Sequence, residues 1–99
     1  MTTETKNIKE SSILIGGKPF INYVTGVILQ FNNGISKTII KARGKFISKC
    51  VDVAEIARKK FPEEEVSVQD VSIGSEKFEN KEAKMVNVST IEITLLKSA

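Results

Sequence analysis

The chain has 99 residues, 40% hydrophobic and 27% charged, with a formal net charge of +3, one Cys and no His. That length supports one hydrophobic core, and no apolar run is long enough to span a bilayer, so neither a two-domain nor a membrane protein is expected. Lacking histidine, it lacks the commonest general base and the commonest metal ligand, which disfavours an enzyme or a metal centre, and no cofactor is called for.

The opening residues, MTTETKNIKESS, carry no secretory signal. They predict an intracellular, cytoplasmic protein with a flexible polar tail over 1–11 and a single domain over 12–99. SSILIGG then predicts a short buried strand at 12–15. Lys18-Pro19 opens a helix with Pro19 in its first turn, and Phe20, Val24, Val27, Ile28 and Phe31 form its apolar face. Gly34 suits the left-handed stop that ends such a helix.

ISKTIIKA, rich in β-branched residues, predicts a second strand, punctuated by Gly44. From Lys45 a second helix runs along Ile47, Cys50, Val51, Ala54, Ala57 and Phe61 until Pro62 closes it. Cys50 lies on that apolar line and reads as a small core hydrophobe; alone, it has no partner for an internal disulfide. The last third is strand, with a phase slip in each half: Val66 and Val68 give way to Val71 and Ile73, and Val86 and Val88 to Ile91, Ile93 and Leu95. Each strand therefore contains a bulge or crosses between two environments. Together they predict an extended hairpin arm tipped by SEKFENKEAKM. The fold class is α/β, in the order β-α-β-α-β-β, with both helices on one face of a four-stranded mixed sheet.

Charge is unevenly spread. Residues 1–60 hold eleven Lys/Arg against four Asp/Glu, a balance of +7, and residues 61–99 hold four against eight, a balance of −4. Such asymmetry fits a surface aimed at a polyanion, or merely a solvated face, and placement decides between them. The two strand-to-helix corners, IGGKPF and KARGKF, each join glycine, a cation and a helix start. Helix N-termini accept phosphate through unpaired N–H groups, and a nearby cation adds to that. Parallel neighbouring strands would bring both corners to one edge as a basic ledge of Lys18, Arg43 and Lys45, with Lys49 one turn further and Lys41 just before. Neither corner matches a Walker or dinucleotide fingerprint.

ILIGGKPFINYV, IIKARGKFISKCVDVAEIARKKF, VSIGSE and VNVSTIEITL together resemble the Alba family of small basic chromatin proteins, in order from about Ile13 to Lys97. The resemblance implies a fold like the C-terminal domain of translation initiation factor three. It also implies a homodimer that binds double-stranded DNA and RNA with little sequence preference, packages the chromosome and assembles cooperatively along DNA. Arms would reach the minor groove while the corners meet the backbone. Carried over, the contacts fall on Lys18, Asn22, Tyr23, Lys41, Arg43, Gly44, Lys45 and Lys49, with Lys77, Lys81 and Lys84 on the arm. Phe61 matches an aromatic used between dimers, although its helical spacing fits core packing equally well. Tyr23 could stack on an RNA base or hydrogen-bond at the rim of the core.

The chain departs from the family in two places. Gly17-Lys18 stands where a Lys-Lys pair is common, which removes a charge and an acetylated side chain and leaves Lys18 as the candidate for modification. The arm, with Glu76, Glu79 and Glu82 beside its lysines, is nearly neutral. Rival readings are a protein devoted to RNA, an acylphosphatase-like enzyme, and a dimerisation module without ligand. The acylphosphatase loop Gly-Val-x-Phe-Arg is absent, and its element order would be βαββαβ. The dimer rests on the resemblance alone, because the apolar periodicity identifies no surface for it.

Overall fold

The computed structural model describes residues 9–98. The tail expected over 1–11 falls mostly outside them, but its last residues do not. Strand β1 spans Glu10–Leu14, so it starts two residues before the expected strand and ends one residue earlier. Helix α1 follows (Phe20–Asn32), then β2 (Lys37–Arg43), a single 3-10 turn (Gly44–Phe46), α2 (Ile47–Lys59), β3 (Val66–Glu79) and β4 (Met85–Lys97). The strand order is β1-β2-β4-β3, parallel between β1 and β2 and antiparallel elsewhere. This is the expected mixed sheet, and its element order differs from βαββαβ.

Only one face of β2 is covered. Thr38, Ile40 and Ala42 are buried beneath the helices, whereas Arg43 on the alternate face is exposed. Thr38, the one buried polar residue among those described, shares a hydrogen bond with Ser11 Oγ at 3.2 Å. Helix α1 buries Val24, Val27 and Phe31, and α2 buries Cys50, Val53, Ala54 and Ala57. Cys50 donates to Ile40 O at 3.5 Å, and burial pushes its thiol up to about 11. It is inert core, as expected.

Several details differ from the sequence reading. Pro19 caps α1 with extended backbone instead of joining its first turn, and Phe20 is exposed beside it. The chain leaves Gly44 through a 3-10 turn, so α2 begins at Ile47 and not at Lys45. On α2 the buried line takes Val53 in place of Val51, which faces the uncovered flank towards β3. Gly34 does adopt a left-handed φ of 95° at the end of α1.

The two phase slips have different causes. In β3 the register shifts between Val68 and Asp70, and this bulge returns Val71 and Ile73 to the face of Val68. Strand β4 pairs without interruption. Its odd residues Ile91, Ile93 and Leu95 are buried under the helices, while the even Val86 and Val88 are half-buried on the opposite face of the arm. Beyond Gly74 and Thr90 the two strands run on as a two-stranded arm, in a molecule 51 Å in its longest dimension. Asn80 shapes the tip: its Oδ1 accepts the N–H groups of Glu82 and Lys84.

Candidate nucleic-acid interface

Because β1 and β2 are parallel neighbours, both strands leave the sheet at the same edge. Ile15 N–H donates to Lys41 O at 2.8 Å, carrying the pairing one residue past β1. The corner Gly16–Pro19 is then fastened to the start of α2 by Lys49. Its Nζ donates to Gly16 O at 2.8 Å and Lys18 O at 2.6 Å. The same ammonium lies 5.1 Å from the centre of the Tyr23 ring and 5.8 Å from that of Phe46.

Tyr23 holds the other polar groups of this corner. Its Oη accepts the N–H of Gly16 at 2.9 Å and of Lys18 at 3.2 Å. Partial desolvation raises the Tyr23 phenol, but those hydrogen bonds, with the charges of Lys49 and Lys18, outweigh it and hold the pKa below the ordinary value. Of its two expected roles, the structure realises hydrogen bonding at the rim. Lys49 likewise orders the ledge as much as it charges it.

The second corner turns at Gly44, whose φ of +59° disfavours any side chain. Both helices start without a side-chain cap and with no acidic residue in the first turn, so their positive ends are uncompensated. Among the described residues neither Lys18 nor Lys45 lies within ion-pair distance of a carboxylate. Lys45 instead sits 5.5 Å from the Phe46 ring centre. Asn22 is exposed on the first turn of α1.

Other expected residues are placed differently. Arg43 Nη1 donates to Glu76 Oε1 at 3.1 Å, an exposed pair that ties the corner to the base of the arm. Lys41 lies on the open face of the sheet, 4.0 Å from Glu92. Lys77 is on the arm opposite Asn87, with Lys81 and Lys84 at the tip, away from the ledge. Phe61 packs edge-to-face on Phe31 with ring centroids 5.7 Å apart, which realises its core-packing reading.

Two features escape the sequence reading. Glu76 reads there only as a neutralising charge, but it engages Arg43 directly. An apolar surface is also present. Past the buried Val66, no described helix covers β3, so Val68, Val71 and Ile73 are 42%, 53% and 81% exposed on the helix side of the sheet, with Val51 of α2 beside them. The available signal was topological: a strand with an apolar face and no third helix to bury it.

A family model described as Alba matches residues 11–75. The chain belongs to the Alba family. It is 48% identical over 88 residues to a protein of Archaeoglobus fulgidus named DNA/RNA-binding protein Alba 1, covering 89% of this chain and 97% of that one. A Thermoplasma acidophilum protein named DNA/RNA-binding protein Alba is 48% identical over 87 residues, 88% of this chain and 96% of that one. The solved structure of Alba from Thermoplasma volcanium superposes with a TM-score of 0.80 at 48% identity, covering 87% of this chain and 99% of the other. At 19% identity and a TM-score of 0.70, ALBA1 from Trypanosoma brucei shares the fold, with 88% of this chain and 68% of that one covered. In this Alba-family chain the ledge therefore belongs to a sheet and helix arrangement common to those structures.

Proposed function

We propose that this chain forms a homodimer that binds double-stranded DNA and RNA through their phosphates, without reading base sequence, and packages the chromosome. The observation that carries the reading is Lys49, which fastens both corners into one rim where Lys18 and Lys45 are exposed and, among the described residues, without carboxylate partners. The relatives named DNA/RNA-binding proteins support it. The chain acts by binding, as its lack of histidine favours.

Lys18, Arg43 and Lys45 meet phosphate oxygens, while Lys49 keeps one N–H beyond its two carbonyl bonds, and Asn22 adds a neutral donor. Arg43 spends only Nη1 on Glu76, so its other guanidinium N–H groups remain for a phosphate. Lys77, Lys81 and Lys84 add weak attraction along the arm. The uncovered apolar surface around Val68, Val71 and Ile73 receives the same surface of a second copy, which sets two ledges on one body. Phe61, half-buried just past α2, spends one face on Phe31, and its remaining exposed edge would be the part to meet a neighbouring dimer on DNA. Acetylation of Lys18 would remove a ledge charge.

Phosphate contacts carry no sequence information, so unrelated duplexes of equal length should bind with affinities within about threefold, measured by fluorescence anisotropy. One duplex bound about a thousandfold more tightly, as specific readers achieve, would contradict the reading. Gly17 offers a gain-of-function test, because a Cβ there meets nothing within 4 Å. Gly17→Lys should add one phosphate contact per protomer, steepening the slope of log K against log salt by about 1.8 per dimer and raising affinity tenfold or more at about 0.1 M salt. An unchanged slope would place the corner away from the phosphates.

A further inference from the structure

The open face of the sheet, opposite the helices, holds a second feature at the base of the arm. Arg43, Glu76, Phe78 and Val88 line a cleft of about 410 Å³. The antiparallel register sets Glu76 opposite Val88 and Phe78 opposite Val86, so all four lie on the face to which Arg43 points. Phe78 is 48% exposed in a two-stranded arm. Its ring lines the cleft with Val88, and it stands before the tip turn, on the side of the arm. A wedge for insertion between base pairs would be expected at the tip instead.

We infer that this cleft takes an unpaired nucleobase of a single-stranded segment, stacked on Phe78. The inference rests on the nucleic-acid reading above and extends it to a substrate that a phosphate ledge alone does not distinguish. Each component has a use. An aromatic face stacks on any base, and only bases outside a duplex expose their faces to it. Val88 supplies an apolar floor. Arg43 holds Glu76 through Oε1, leaving carboxylate lone pairs to accept an imino or amino N–H from the edge of the base. The guanidinium is also within reach of the phosphate that accompanies the base, continuing the ledge into the cleft. RNA and single-stranded DNA share this chemistry.

The chain contains no Trp, so Phe78→Trp introduces a single reporter on an exposed arm. Titrating that variant with oligouridylate, oligothymidylate and a duplex of equal length reads the cleft directly. Stacking should quench the fluorescence with either single strand and leave it almost unchanged with the duplex; the two strands separate RNA from DNA as the preferred source. In parallel, Phe78→Ala should weaken single-strand binding by about 5- to 100-fold and change duplex affinity by less than about twofold. Equal quenching by the duplex would overturn the inference in favour of groove insertion. Absence of quenching while single strands and duplex both bind would overturn it outright. Loss of duplex binding in the wild-type chain would instead count against the phosphate ledge, so the two failures are distinguishable.

Discussion

Replacing Lys18 and Lys45 together with alanine should lower duplex affinity on the order of a thousandfold at 0.1 M salt. The size follows from counterion release. Each cation seated on a phosphate contributes about 0.9 to the salt slope, and a dimer loses four such contacts in this variant. Both side chains are exposed and free of carboxylates among the described residues, so the fold should be indifferent to their removal. The thermal midpoint therefore serves as a control and should stay within a degree or two, as exposed substitutions usually do. Binding to every duplex should weaken alike. A loss smaller than about tenfold would mean that the ledge is not the main contact.

The second large effect concerns the uncovered side of β3. Val71→Glu with Ile73→Glu should turn the proposed dimer into a monomer, read by analytical ultracentrifugation at micromolar concentration. In a monomer these positions are exposed, so carboxylates there are tolerated. In a self-complementary interface each would be buried against its like, costing several kcal/mol per charge. Burial of a large apolar side chain contributes about 1.5–3 kcal/mol, so the substitution would also remove what holds the copies together in the proposed interface. Duplex binding should fall with the dimer, because one ledge remains where two acted jointly, and the salt slope should drop by half. A double variant that still sediments as a dimer would put the interface elsewhere.

Much of this arrangement was legible in the residues. The element order followed from apolar spacing and from Gly34, Gly44 and Pro62, and the parallel pairing of β1 with β2 put both glycine corners on one edge. What periodicity could not supply was the identity of the neighbour across each strand. The phase slip in β4 is a change of environment and the slip in β3 a bulge, yet the two look alike in sequence because both shift the apolar register by one. Val51 reads as core because it follows the helical spacing, but the flank it faces has no cover among the described residues. Lys49 reads as one more phosphate ligand, whereas its bonds to Gly16 and Lys18 carbonyls depend on contacts 31 and 33 residues apart. Glu76 was hidden for the same reason, since only the fold of the arm sets it against Arg43.

The most direct test of the joint ledge is the salt dependence of wild-type binding to a duplex. Three or four cations on each protomer, engaged together across a dimer, predict that log K falls with log salt at a slope of about −5 to −7. A slope shallower than about −2 would show that fewer than three phosphates are neutralised, and would contradict a shared basic rim built from the two corners.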